Sequence, residues 1–247
     1  MTIIVGLLGL QAAYLWRLRN AAPPVPRRKQ LTFTAGILVI AVALLSPLDD
    51  LADHYLFSAH MVQHLLLTLG AAPLLLAGTP DWMLRALLER MRLIGAARHA
   101  RHPLIAFCAF NVVWAAAHLP VVYELALQSE PLHAAEHLIF LATAVLLWWP
   151  VLGLWPYPPI GQVLYLFLQT VPASLVGALL THANSAYYST YANAPRIVSL
   201  TPLEDQQAGG LIMWVGSGIY FLLATAVVFF AWASREEAAN RRPVGAL

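Results

Sequence analysis

Two pairs of histidines, each with a spacing of four residues, are the part of this sequence that could carry metal chemistry. His60 and His64 occur in His-Met-Val-Gln-His, and His133 and His137 occur in His-Ala-Ala-Glu-His. Residues four apart lie on the same face of a helix, so the two imidazoles of each pair can bind one ion. Because both pairs lie in apolar segments, we expect a buried metal site with His60, His64, His133 and His137 as its ligands.

Other polar and sulfur-containing residues could support such a site. His118 and Met213 are candidates for additional ligands, although a single buried histidine or methionine is more often a packing residue. Candidates for guiding an ion inward, or for contacting its ligands, are Asp50, Asp53, His54, Glu136, His182 and Asp205. Imidazole suits copper, zinc, iron and nickel alike, and the spacing does not choose among them. Cys108 is the only cysteine, which argues against a site built from paired thiolates.

The composition is that of a membrane protein. The 247 residues are 60% hydrophobic and 11% charged, which predicts an all-α polytopic bundle that forms one membrane-embedded domain over residues 1–247. Seven apolar segments are long enough to span a bilayer: 2–18, 31–46, 54–78, 103–119, 132–152, 160–182 and 208–232. The first should be a retained helix, because basic residues follow it instead of preceding it.

The charges of the loops predict the orientation. Every Lys and Arg except Arg196 lies in the 17–30 loop, the 79–102 loop or the 235–247 tail. The positive-inside rule places these segments in the cytoplasm, with the N-terminus outside and the C-terminus inside. Most acidic residues, and every histidine except His99 and His102, then lie toward the outer face, where they would attract cations. The expected surroundings are the lipid bilayer, with no nucleic acid.

Two similar runs, Ser46–Asp50 and Thr201–Asp205, predict where the third and seventh spans begin. In each, a hydroxyl residue can cap the helix, proline takes its first position, and an acid at the third position closes a capping box. On a continuous helix from Pro47, one face carries the ionisable residues from Asp50 to His64 and should point into the bundle. The 183–201 loop, with three tyrosines, is long for a bundle and is a candidate partner contact.

Several of these motifs together resemble a known family. They are Ser46–Leu51, His60–Leu67, His133-x-x-Glu136-His137 followed by Trp148-Trp149-Pro150, and Pro202–Trp214. In this order, over roughly residues 46–232, they are similar to the cytochrome c oxidase assembly factor family of CtaG type. The resemblance implies a multi-pass protein of the bacterial inner (plasma) membrane that assists assembly of a heme–copper oxidase by supplying copper to an oxidase subunit.

The functions compatible with the sequence differ in what the histidines do. The leading hypothesis is non-enzymatic, with no catalytic residue: copper binds the histidine cluster and passes to the oxidase. A b-type heme protein would use one histidine of each pair and leave the other idle. A membrane metallohydrolase, holding zinc, would use His133-x-x-Glu136-His137 with Glu136 as general base, but would not explain His60 and His64. A scaffold joined by histidine hydrogen bonds would gain only about 0.6 kcal/mol from each.

Overall fold

The computed structural model describes residues 2–19, 21 and 24–241, and every regular element in this part of the chain is helical. The tail residues 242–247 lie outside it. In chain order the helices are α1 (Thr2–Arg19), α2 (Arg27–Leu45), α3 (Pro47–His54), α4 (Phe57–Leu65), α5 (Ala72–Gly78), α6 (Asp81–Arg90), α7 (Ile94–Ala100), α8 (Pro103–Ala117), α9 (Pro120–Leu127), α10 (Glu130–Leu152), α11 (Pro159–Leu168), α12 (Thr170–Thr181), α13 (Ser189–Ala192), α14 (Pro202–Leu211) and α15 (Ser217–Asn240). Two π-helical segments, Leu66–Ala71 and Ile212–Gly216, join α4 to α5 and α14 to α15.

Among the described residues, five helical stretches are long and apolar enough to cross a membrane. They are Arg27–Leu45, Phe57–Gly78, Glu130–Leu152, Pro159–Thr181 and Pro202–Asn240. A sixth results if α7 and α8, which are bent by 90° at their junction, count as one span. The all-α membrane fold is therefore confirmed. The helix α1 covers the first predicted segment but carries Arg17 and Arg19 in its last turn and is not among the five. Seven spans, and the orientation of the termini, stay predictions.

The third predicted span differs from expectation at its beginning. Ser46 does cap a helix that starts at Pro47, but this helix ends at His54. Leu56 is extended, and a new helix starts at Phe57. The expected continuous face from Asp50 to His64 is therefore wrong, because the non-helical residues Tyr55 and Leu56 interrupt the helix between them. At the seventh predicted span, Thr201 and Glu204 do form the predicted capping box at the start of α14.

The π-helical turn at Leu66–Ala71 joins the third span to two other helices. It lies just before Pro73, which has no backbone N–H to donate. Two of its carbonyls accept side-chain hydrogen bonds, from Trp148 Nε1 to Thr68 O at 3.0 Å and from Tyr220 OH to Leu69 O at 2.5 Å. The long helices α10 and α15 are thus attached to the third span at this turn.

Small residues allow α12 and α14 to touch through their backbones. A Cβ atom built on Gly177 would lie 2.7 Å from Gly210 O, and one built on Gly210 would lie 2.7 Å from Gly177 O. This close approach positions α14, which in turn contacts the start of α4.

The 183–201 loop packs inward over the same end of the bundle. Its Tyr188 and Tyr191 are each only 2% exposed. The expectation that the loop tyrosines form a partner surface is therefore wrong for these two. Tyr187 is the exposed member of the three, and its backbone N–H donates to Gln206 Oε1 at 2.6 Å.

Candidate metal centre

The helices α4 and α10 bring the two histidine pairs together inside the bundle. His60 and His64 are fully buried, and His133 and His137 are each 8% exposed. Within the pairs, the ring centroids are 4.2 Å apart for His60 and His64 and 4.3 Å apart for His133 and His137. Between the helices, His60 lies 5.2 Å from His133, and His64 lies 5.5 Å from His137. Imidazoles from two separate helices therefore meet in one cluster.

The cluster contains two overlapping sets of atoms that could ligate a metal ion. His60, His64 and His137 each place one ligand atom within 4.8 Å of the others, and so do Asp53, His60 and His133. The first set is wholly buried, whereas Asp53 in the second is half-buried. His60 belongs to both sets. The arrangement thus offers two adjacent candidate positions with three possible ligands each, where the sequence alone had indicated one group of four histidines.

A hydrogen-bond chain from the 183–201 loop fixes the protonation of His60. Tyr191 OH donates to Ala52 O at 2.6 Å, so its oxygen accepts, from Tyr123 OH at 3.0 Å and from His60 Nδ1 at 3.0 Å. With the proton held on Nδ1, the lone pair of His60 Nε2 faces the rest of the cluster and lies 2.8 Å from His64 Nε2. Partners of this kind orient a histidine toward a metal. No spacing rule connects positions 60 and 191, so sequence reasoning missed Tyr191 as a site residue.

Several buried nitrogens of the cluster have no hydrogen-bond partner among the residues that the structure describes. They are His64 Nδ1, His133 Nδ1, His133 Nε2 and His137 Nε2. Nearly all buried polar side-chain atoms in proteins are paired, so a group of orphaned imidazole nitrogens needs a cause. A metal ion supplies one, because neutral imidazole donates its lone pair to copper, zinc, iron or nickel. The residues present therefore fit an ion with nitrogen ligands.

Carboxylates border the cluster on the side of His133. Asp53 Oδ1 lies 3.2 Å from His133 Nε2, and Glu136 Oε2 lies 3.6 Å from His133 Nδ1. Neither contact is aligned as a hydrogen bond, since both His133 nitrogens and Asp53 Oδ1 stay unpartnered. Asp49 accepts a hydrogen bond from Gln63 Nε2 at 2.7 Å, and burial raises the pKa of the Asp49 carboxyl, assisted by the nearby charge of Asp53. These acids make the Asp53 side of the cluster attractive to cations.

The remaining predicted site residues fall into two groups by burial. His118 is buried, with its ring centroid 6.4 Å from that of His64, and Met213 is fully buried in the hydrophobic core. Neither belongs to the two ligand sets. His54 and Asp50 are exposed and face each other at 3.3 Å. His182 is also exposed, and its Nδ1 contacts Ala178 O at 3.0 Å.

Asp205 is a residue of helix α14, and its fully buried side chain contacts the first residues of helix α4. Its Oδ2 accepts from Phe57 N at 2.7 Å, and its Oδ1 accepts from Ser58 N at 3.2 Å and from Ser58 Oγ at 2.5 Å. A carboxylate in this position satisfies the free N–H groups of a helix N-terminus and stabilises its positive end. Asp205 therefore positions the helix that carries His60 and His64, although it lies in a different part of the chain.

Comparison with known proteins identifies one family. The model of the cytochrome c oxidase caa3 assembly factor family (Caa3_CtaG) matches residues 10–235, which is nearly the whole chain and includes every residue of the cluster. No curated protein and no solved structure gives a significant match.

Proposed function

Because this chain belongs to the cytochrome c oxidase caa3 assembly factor family, we propose that it binds copper at its histidine cluster and delivers the ion to a membrane subunit of the oxidase. The observation that carries the proposal is the buried meeting of His60, His64 and His137, whose ligand atoms lie within 4.8 Å of one another. In this proposal copper is cargo, the role is non-enzymatic, and no residue is catalytic.

The chemistry of the ligands supports copper as that cargo. Among first-row divalent metals, nitrogen ligands bind copper most tightly, and the proteins that this family assembles are terminal oxidases. The cluster contains no thiolate, because the only cysteine, Cys108, is exposed on another helix. Neutral imidazoles bind an ion by coordination alone. The ion can therefore be transferred by ligand exchange to the imidazoles of a second protein.

The position of the cluster supports transfer within the membrane. His60 and His64 lie on the stretch Phe57–Gly78, and His133 and His137 lie on Glu130–Leu152, both of which can cross a bilayer. We place this end of the bundle at the outer face of the bacterial inner membrane, following the positive-inside rule. Copper would then arrive past Asp53 and leave sideways to a partner helix bundle.

The geometry favours an ion over the two cofactor-based alternatives. Aromatic rings crowd the cluster, with Tyr123 5.2 Å from His60 and Phe140 4.5 Å from His64, so a single ion fits better than a flat macrocycle such as heme. A zinc hydrolase would bind one ion with both His133 and His137, whereas these residues fall in different ligand sets. Glu136 does lie beside His133, and in the copper proposal its carboxylate attracts the ion.

The test is elemental analysis of the detergent-purified, full-length protein after incubation with copper and ascorbate and removal of free metal. We expect the wild-type protein to retain copper and the double variant His60→Ala/His137→Ala to retain little. His99→Ala is the matched control, because His99 is an exposed histidine on α7 whose Nδ1 contacts Gly95 O. An absorption spectrum of the same samples reports bound heme. The proposal fails if the wild-type protein holds no more copper than the double variant.

A further inference from the structure

A histidine and a methionine are paired beside the cluster but belong to neither ligand set. His118 Nε2 lies 3.4 Å from Met61 Sδ. His118 is 6% exposed and follows the last residue of α8, and Met61 is fully buried on α4. The sulfur atom therefore faces a ring nitrogen in a position that water does not reach.

The second nitrogen of His118 decides the chemistry of this contact. His118 Nδ1 lies 2.6 Å from Trp114 O, and a carbonyl oxygen can only accept, so Nδ1 must carry the proton. In the neutral ring Nε2 is then a lone pair, and the thioether sulfur of Met61 also offers lone pairs. A charged ring would supply a proton between them, but an isolated charge in this buried position is costly. Two electron-pair donors thus face each other with no hydrogen atom between them.

The neighbouring structure holds both side chains in place. The carbonyl of His118 accepts a hydrogen bond from Tyr188 OH at 2.9 Å, and the His118 ring packs 4.7 Å from that of Trp114. On the other side, a Cβ atom at Gly209 would lie 3.2 Å from Met61 Cγ, so α14 packs tightly against this side chain. The two donors are fixed in this arrangement and do not turn away from each other.

We propose that His118 and Met61 form a second binding position, selective for the cuprous ion, next to the nitrogen ligands of the cluster. Thioether and imidazole are a soft pair of ligands, and methionine sulfur favours the soft cuprous ion. Met61 lies between His60 and His64 on the same helix, and the rings of His64 and His118 are 6.4 Å apart. An ion can therefore pass from His64 to this pair by a short displacement.

This proposal rests on the proposed function, because copper reaches the pair through the histidine cluster. It adds that the ligands form an ordered series along the path of the ion. They run from carboxylate and imidazole at Asp53 and His133, through imidazoles alone, to imidazole and thioether at His118 and Met61. Each step is softer than the one before, which suits copper that is carried as Cu(I) throughout, with no change of oxidation state.

The experiment is X-ray absorption spectroscopy on the full-length protein in detergent, loaded anaerobically with copper and excess ascorbate. We expect a sulfur neighbour of copper in the wild-type protein and its loss in Met61→Leu, a substitution of similar volume. Met213→Leu is the matched control, since Met213 is equally buried, and it should retain the sulfur signal. Titration with Ag(I), a soft ion that does not change oxidation state here, should show about one equivalent less in Met61→Leu.

The outcomes separate this proposal from the proposed function. Copper bound by nitrogen alone in the wild-type protein overturns the His118–Met61 position and leaves the histidine cluster intact as a copper site. Loss of the sulfur signal in Met213→Leu, or its persistence in Met61→Leu, also overturns it. A wild-type protein without copper contradicts both proposals. If Met61→Leu does not fold, His118→Gln replaces it, and there one soft-ion equivalent should be lost.

Discussion

Asp205 caps helix α4 from another helix, with its carboxylate accepting the backbone N–H of Phe57 at 2.7 Å across 148 positions of sequence. The neighbouring N–H of Ser58 and its hydroxyl bind the same carboxylate. Since α4 restarts at Phe57 after a break, this one side chain determines where the helix begins. The direction in which His60 and His64 point follows from it.

Replacing Asp205 with alanine should therefore weaken both stability and copper retention. Loss of an N-terminal capping side chain costs about 1–2 kcal/mol, and here one buried and two part-buried donors lose their acceptor. We expect the unfolding temperature in detergent to fall by several degrees and copper content to fall with it. Glu89→Ala, which removes an exposed acid on α6, is the control and should change neither quantity. Equal effects of the two substitutions would contradict the capping role.

Tyr191→Phe should lower copper affinity without disrupting the fold. The substitution removes the hydroxyl that accepts from His60 Nδ1 and donates to Ala52 O. His60 can then carry its proton on either nitrogen, and loss of such an orienting partner typically costs 10–100-fold in metal affinity. Competition with a chelator of known affinity measures the change. Tyr187→Phe, at the exposed tyrosine of the same loop, should bind copper like the wild-type protein.

Gly210→Ala should separate α12 from α14 and destabilise the bundle. The added methyl group would lie 2.7 Å from both Gly177 O and Thr181 N, which are backbone atoms and cannot rotate away. Gly218→Ala is the matched control, because no atom lies within 4 Å of its added Cβ. Alanine favours a helix over glycine by about 1 kcal/mol, so the control should be neutral or slightly stabilising. Thermal unfolding of the two variants in one detergent gives the comparison.

Asp49 should make stability depend on pH. Its pKa is higher in the folded protein, mainly because of burial. A carboxyl with a raised pKa stabilises the fold below its unfolded pKa of about 4 and loses that contribution as pH rises through its folded pKa. Asp49→Asn keeps an oxygen to accept from Gln63 Nε2 and removes the titration. We expect the unfolding temperature of the wild-type protein to fall, relative to that of the variant, between pH 4 and pH 7. Parallel curves would rule out this role for Asp49.

The predicted orientation can be tested with introduced cysteines. In a Cys108→Ser background, Tyr187→Cys lies at the histidine end and Arg90→Cys lies on α6, and both positions are exposed. A membrane-impermeant thiol reagent should label Tyr187→Cys in intact spheroplasts. It should label Arg90→Cys only after the membrane is opened. The reverse pattern would show that the positive-inside rule fails for this chain.

The sequence predicted the class of the fold and the spacing within the histidine pairs better than it predicted where a helix breaks. The lengths of the apolar segments were sufficient to predict the all-α membrane class. They also located the five spanning stretches within a few residues. The exception is Pro202–Asn240, which extends beyond the predicted 208–232 at both ends. The four-residue spacing was sufficient to place His60 beside His64 and His133 beside His137. Both inferences depend only on helix geometry, which the order of residues determines directly.

The parts that were missed depend on contacts between distant segments. No proline or glycine occurs between Asp53 and Phe57, so nothing local predicts the break at Tyr55 and Leu56. The acceptor that makes the new helix start favourable, Asp205, lies on another helix. The division of the cluster into two ligand sets likewise requires Asp53, which a continuous helix would have placed differently. Contacts between distant segments determine these features, and no rule of residue spacing predicts them.

The π-helical turn at Leu66–Ala71 separates the third span into two mechanically distinct parts. Above it, α4 is oriented by Asp205, and its His60 by Tyr191, whereas α5 below it packs against α2. A wide turn, with its carbonyls bound to Trp148 and Tyr220, lets each part adopt its own rotation. A change in how α5 packs against its neighbours need not therefore disturb the geometry of the histidine cluster.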